Sequence, residues 1–68
     1  MPTQLERTLI EWDRHTKPLE VYYGNTGQTL ARNADTVRHA IRRLGIDATA
    51  RAESASKSVI VERRDDAA

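Results

Sequence analysis

The feature that most constrains the fold of this chain is an apolar stripe that recurs at helical spacing between residues 30 and 44. Its members follow one another at intervals of four and three residues: Leu30, Ala34, Val37, Ile41 and Leu44. Because successive helical residues are rotated by about 100°, this spacing collects them on one face of an α-helix. Gly45 and Ile46 come next, an order typical of a left-handed C-cap closed by a hydrophobic contact. The sequence therefore predicts one amphipathic helix over 26–44.

Strand-like patterns lie on both sides of this helix. The segment LEVYY places Leu19, Val21 and Tyr23 on one side, as a half-buried strand requires, and predicts a strand over 18–23. After the helix, alanines alternate with polar residues, and this alternation predicts a second strand over 46–53. A polar turn then leads to an apolar run, so a third strand is predicted over 57–64, forming a hairpin with the second.

The N-terminal segment carries the signals of a second helix. Thr3 and Glu6 have the spacing of a capping box, in which each residue binds a backbone N–H of the other. Three apolar residues then fall on one helical face: Leu5, Leu9 and Trp12. These signals predict a helix over 3–15, and residues 65–68 are expected to fray.

The predicted elements follow the order α-β-α-β-β within a single domain spanning residues 1–68. This order predicts an α+β fold, a small α/β two-layer sandwich in which a three-stranded sheet carries two helices packed on one face. The first two strands are expected to be joined by a right-handed crossover. A winged helix is the alternative, with 36–44 as recognition helix and 46–64 as the wing, and it requires a break in the long helix.

Composition narrows the functions that such a chain can carry. With 68 residues there is room for one small core, and the absence of cysteine excludes disulfides, thiolate ligands and cysteine nucleophiles. His15 and His39 have no partner at metal-ligand spacing, so we expect no metal, no cofactor and no enzymatic activity. No apolar run approaches the ~20 residues of a membrane span, and we expect a soluble, cytoplasmic protein.

The glycine turn GNTGQT follows the first strand and opens the long helix, where backbone N–H groups and the helix dipole favour an anion. It lacks the lysine and the spacing of a P-loop. The segments VYYG and TGQT resemble the strand and phosphate loop of flavodoxins, which implies phosphate or flavin binding. The candidate residues are Gly24, Asn25, Thr26 and Gly27. The alternative is structural: the glycines permit a tight turn, and Asn25 or Thr26 caps the helix.

Nine of the eleven basic residues are arginines, and four of them lie in the long helix. With these four arginines and one aspartate, residues 30–44 carry a charge of +3, against +1 for the whole chain. The helix face opposite the apolar stripe is predicted to carry Arg32, Arg38, His39, Arg42 and Arg43. Such a face suits phosphates or an acidic protein surface. The alternative is a solvated face in which Asp35 pairs with Arg38 or His39.

The sheet face left uncovered by the helices is a second candidate surface. It is predicted to show Glu20, Tyr22, Thr49, Arg51, Ile60 and Arg64. A tyrosine and an arginine on an open sheet can stack bases. The candidate residues for an interface, with a protein partner or in a homodimer, are Ile10, Tyr22, Arg51 and Ile60.

The leading hypothesis from the sequence is a small non-catalytic binding module. Its arginine-rich helix face would engage an anionic partner, either nucleic acid or a nucleic-acid-binding assembly. The first alternative is a protein–protein interaction module, such as a phage or mobile-element inhibitor or a small subunit of a complex. The second alternative is a winged-helix DNA-binding protein.

Overall fold

The computed structural model describes residues 2–15, 17–22, 24 and 27–64. Within these ranges the chain forms two helices and a three-stranded antiparallel sheet. The elements are α1 (Gln4–Trp12), β1 (Leu19–Val21), α2 (Gly27–Leu44), β2 (Ala48–Glu53) and β3 (Ser58–Arg63). The predicted α+β class and element order are therefore confirmed. The predictions for Tyr23, Asn25, Thr26 and residues 65–68 fall outside the described residues.

β3 occupies the centre of the sheet, with β1 and β2 at the two edges. It is antiparallel to both neighbours, and Val61 lies between Leu19 of β1 and Ala50 of β2. β1 and β2 therefore run parallel to each other, and α2 connects them across the gap that β3 fills. This is the arrangement of a split β-α-β unit.

The core lies between the helices and one face of the sheet. Leu9 of α1, Val37 of α2, and Val59 and Val61 of β3 are fully buried. Both helices contribute to the same apolar cluster as the inward residues of β2 and β3, so both cover the same sheet face, as predicted. The predicted α2 stripe is buried at four positions and half-buried at the fifth: Leu30, Ala34, Val37, Ile41 and Leu44.

α2 is one uninterrupted helix of 18 residues, and it ends as predicted. Gly45 has a φ of 72°, its N–H donates to the Arg42 carbonyl, and the Ile46 N–H donates to the Ile41 carbonyl. This pair of bonds is the Schellman motif, and it brings the half-buried Ile46 against the core. Since no break divides α2, the helix-turn-helix that a winged helix requires is not formed by this segment.

α1 begins at the predicted capping box and ends earlier than predicted. The Glu6 N–H donates to Thr3 Oγ1 at 3.1 Å, and the Thr3 N–H donates to Glu6 Oε1 at 2.9 Å. The helix ends at Trp12, with Asp13 as its C-cap, rather than at residue 15. Arg63 of β3 donates to the Asp13 carbonyl, so a side chain distant in sequence binds the chain at the helix end.

All three strands are shorter than the alternation predicted, and β3 is shorter by one residue at each end. β1 ends at Val21 because Tyr22 has a φ of 56°, which lies outside the range of extended backbone. β2 begins at Ala48 rather than at residue 46 because Ile46 completes the cap of α2. β1 and β2 both lose residues at the end that adjoins α2, and β1 also begins one residue later than predicted, at Leu19.

Candidate anion-binding surface

The cations of α2 divide between the outer face of the helix and its two flanks. Arg32 and His39 are about 20° apart around the helix axis, and both point away from the buried residues of α2. Both are exposed, and neither side chain has a hydrogen bond or ion pair within the part of the chain that the structure describes. The Arg32 guanidinium is therefore open to an external ligand.

Arg38 and Arg42 lie on the flank of α2 that faces the edge strand β2. Arg38 Nε donates to the Ala50 carbonyl at 2.9 Å, and its Nη1 donates to Asp35 Oδ1 at 3.0 Å, so the Asp35–Arg38 pairing is present. Arg42 and Arg64 line the same open cleft between α2 and β2, about 490 Å³ in volume. We call the space lined by Arg38, Arg42 and Arg64 the arginine cleft.

Backbone groups of β2 add to the polarity of the arginine cleft. Arg64 Nε lies 3.3 Å from Asp47 Oδ1, and its Nη2 donates to the Ala48 carbonyl at 3.4 Å. Because alternate residues of an edge strand direct their backbone groups to the open side, the Ala50 N–H points the same way as its carbonyl, toward the cleft. The Arg42 side chain is exposed and has no hydrogen bond or ion pair among the described residues. An anion entering the cleft therefore meets an uncommitted guanidinium and a backbone donor.

Arg64 was expected on the outer sheet face, and that prediction is wrong. β3 ends at Arg63, after which the chain turns and the Arg64 side chain reaches the edge of β2. Strand alternation could place Arg64 outward, but it could not show where the strand stops. The contribution of the Ala50 backbone was missed for a related reason, since it depends on β2 being an edge strand.

Arg43 lies on the opposite flank of α2, against α1. Its Nη2 is 3.5 Å from Glu6 Oε2, and the Glu6 side chain is 17% exposed. The backbone hydrogen bond from Thr3 lowers the pKa of Glu6 below its ordinary value of 4.5, and Arg43 lowers it further. Arg43 therefore ties the two helices together, and part of its charge is compensated.

The outer face of the sheet is acidic. Arg51 is held between Glu53 and Glu62, with Nη1–Oε2 and Nε–Oε1 distances of 2.7 and 3.1 Å. Hydrogen bonds from Arg51, and then from the backbone of Ala55, lower the pKa of Glu53. With Glu20 on the same face, three carboxylates stand against one guanidinium, a net charge of −2. This face would repel a phosphate backbone, so Arg51 is poorly placed to stack a base.

The four predicted interface residues do not form one patch. Ile60 is half-buried at the centre of the outer sheet face, between Glu20 and Arg51 of the neighbouring strands. Ile10 is 47% exposed, but it belongs to α1, on the other side of the sheet. Tyr22 is exposed at the end of β1 and takes part in an interaction of its own.

The two glycines of the turn both have the left-handed backbone that favours glycine. Gly24 and Gly27 have φ values of 73° and 50°, and a Cβ at either position would meet open space. Asn25 and Thr26 lie outside the described residues, so the cap and the phosphate contact remain predictions. The turn precedes α2, whereas the arginine cleft lies at the far end of that helix.

Comparison with family models, curated proteins and solved structures finds no match to this chain. Neither helix has the length and apolar character needed to cross a membrane, judged over the described ranges. In the same ranges, no three His, Cys, Asp or Glu side chains come close enough together to hold a metal ion.

Proposed function

We propose that this chain is a small non-catalytic binding module that engages nucleic acid through the exposed side of α2. The supporting observation is that Arg32 and Arg42 are exposed and unpaired among the described residues, on a helix whose buried side is fully used by the core. Arginine suits this role because its planar guanidinium binds phosphate with two parallel hydrogen bonds.

The distribution of charge supports this assignment more than the net charge does. α2 carries four arginines and one aspartate, a charge of +3, so the rest of the chain carries −2. The outer sheet face accounts for an equal negative charge through its three glutamates and Arg51. A polyanion is therefore attracted to the helical side of the molecule and repelled from the sheet side.

The direct test is a titration of a fluorescein-labelled single strand of about twelve nucleotides, and of a duplex of the same sequence, followed by anisotropy. Each phosphate contact to a single strand contributes about 0.7 to the slope of log affinity against log salt. Loss of two contacts in Arg32→Gln/Arg42→Gln should therefore lower the slope by about 1.4 and weaken binding at least tenfold in low salt.

A matched control removes the same charge elsewhere. Arg7→Gln/Lys57→Gln neutralises two exposed cations on α1 and in the hairpin turn, away from the outer face of α2. We expect the control to bind within about threefold of wild type, because scattered surface charges act weakly at moderate salt. Wild-type protein that binds none of the probes, or equal losses in the two double variants, would reject the proposal.

A second candidate is self-association, which charge complementarity favours. The acidic outer sheet face of one copy could accept the arginine-bearing side of α2 from a second copy. Such a head-to-tail contact does not close on itself, so the average mass should rise with concentration. Light scattering in low salt measures this, and a constant monomeric mass would exclude it.

A further inference from the structure

The topology gathers exposed cations from three separate parts of the sequence at one end of the sheet. β1 and β2 begin at this end and β3 finishes there, because β3 is antiparallel to both. α2 also ends there, since Gly45 leads almost directly into β2. The cations at this end, which we call the basic end, are Arg14, Lys17, Arg42 and Arg64.

Arg14 and Lys17 face a common hollow beside the start of β1. The hollow has a volume of about 540 Å³, and both side chains are exposed and unpaired among the described residues. His15, the residue after Arg14, is held to the sheet because Arg63 of β3 donates to its carbonyl at 2.7 Å. Arg64 follows Arg63 at the end of the central strand, and its side chain lines the arginine cleft.

Two acids of the described residues lie at the basic end, and both are engaged. Asp13 Oδ1 lies 2.6 Å from Arg63 Nη1, and Asp47 Oδ1 lies 3.3 Å from Arg64 Nε. Counted over residues 2–15, 17–22, 24 and 27–64, positive charge therefore remains in excess, on the side chains of Arg14, Lys17 and Arg42. Since two edge strands of a three-stranded sheet are about 10 Å apart, the hollow and the arginine cleft are close enough to be spanned by a few nucleotides.

The exposed cations form a track that runs along the outer side of α2 and then continues across the end of the sheet. Arg32 and Arg42 are separated by about 15 Å along the helix axis, and the track then crosses the sheet end for about 10 Å more. Its total length, about 25 Å, is within the range of single-strand sites that cover roughly 4–16 nucleotides. A duplex is too stiff to follow it, since bending a short site through 40–90° costs about 1–6 kcal/mol.

We infer that the ligand is a single-stranded nucleic acid whose backbone runs along α2, through the arginine cleft and around the basic end to Arg14 and Lys17. This inference rests on the proposed function and adds to it the strandedness of the ligand and a second contact region. Nucleobases need no pocket in this arrangement, so binding is expected to depend little on sequence.

The test compares Arg14→Gln/Lys17→Gln with the control Arg7→Gln/Lys57→Gln, which removes the same charge. The probes are a labelled single strand of about twelve nucleotides, one of about four nucleotides, and a duplex. The basic-end variant should bind the longer strand about tenfold more weakly, with a salt slope lower by about 1.4. Affinity for the shortest strand should change less, because it can occupy α2 alone.

The outcomes separate this inference from the proposed function. If wild-type protein binds no probe, the proposed function fails and the inference fails with it. If Arg32→Gln/Arg42→Gln weakens binding while Arg14→Gln/Lys17→Gln matches the control, the helix is a binding surface and the turn around the sheet end is wrong. Duplex binding as tight as single-strand binding overturns the assignment of a single strand. A circular dichroism melt of each variant shows whether any loss of affinity reflects unfolding.

Discussion

Replacing Arg63 should destabilise this fold more than replacing any other arginine of the described chain. The Arg63 side chain is 18% exposed, and its guanidinium lies over the ring of Trp12, 4.5 Å from the centroid. It also donates to Asp13 Oδ1 at 2.6 Å, to the Asp13 carbonyl, and to the His15 carbonyl at 2.7 Å. One side chain thereby joins the end of α1 to the central strand of the sheet.

The expected magnitude follows from these contacts. A hydrogen bond from a charged donor contributes about 1.5–3 kcal/mol when buried, and less here because Asp13 is 47% exposed and the freed carbonyls can bind water. The cation–π contact adds about 0.5–1 kcal/mol. We expect Arg63→Ala to lower the free energy of unfolding by about 2–3 kcal/mol, a large share of the ~3–10 kcal/mol available to a chain of this size.

The variant Arg63→Lys distinguishes the contribution of the positive charge from that of the planar guanidinium group. Lysine keeps the positive charge over Trp12 but lacks the planar fork that serves two carbonyls and a carboxylate together. We therefore expect about half of the alanine loss. Trp12 is the one tryptophan of the sequence, so its fluorescence during urea unfolding reports directly on this contact.

The neighbouring Arg64→Ala is the control for this experiment. Arg64 is exposed, and its ion pair with Asp47 involves side chains that are 66% and 64% exposed. A surface pair of this kind contributes about 0–1 kcal/mol. If Arg63→Ala and Arg64→Ala differ by less than about 0.5 kcal/mol, the reasoning from burial and helix-end contacts is wrong.

Two further predictions concern the helix cap and acid. Gly45→Ala should lower the free energy of unfolding by about 1 kcal/mol. The cost is conformational, because Gly45 has a φ of 72° and a Cβ at this position would meet open space. Gly45→Asn should cost less, and thermal melts in which the alanine variant matches the wild type would contradict this prediction. The pKa values of Glu6 and Glu53 are lowered in the folded state, so the unfolded state binds more protons. The stability that these two carboxylates contribute should be fully present above the ordinary value of 4.5 and be lost as the pH falls through the lowered values. Urea midpoints across this range measure the fall, and Glu6→Gln/Glu53→Gln should reduce it; an unchanged pH profile in that variant would refute the assignment.

Local signals allowed much of this fold to be predicted, because their physical causes lie within a few residues. The capping box at Thr3, the stripe on α2 and the cap at Gly45 each depend on neighbours three to five positions away. The position of β3 at the centre of the sheet depends on pairing between segments far apart in sequence. Periodicity along each strand carries no information about which strand is its neighbour.

For the candidate site, too, the sequence predicted the features that depend on a local pattern and not those that depend on strand pairing. The helix pattern placed Arg32 and Arg42 on the exposed side correctly. It could not show that Arg51 would be neutralised by glutamates on the same sheet face, or that the loop with Arg14 and the end of α2 would lie at the same end of the sheet. Those relations follow from strand register and from the loop that Arg63 holds, and neither leaves a local pattern in the sequence.

The pattern of charge on α2 is unfavourable for the isolated helix, and this supports a role in binding. Arg38 and Arg42 are four residues apart, a spacing at which like charges destabilise a helix by a few tenths of a kcal/mol. Glutamates at matching positions would stabilise α2 by similar amounts, yet one of the ten acids of the chain lies in this helix. A bias toward arginine in the overall composition explains the number of arginines but not the presence of a single acid, Asp35, in this helix. An anionic ligand would relieve this repulsion on binding, because it would supply the partners that the exposed guanidinium groups lack in the free protein.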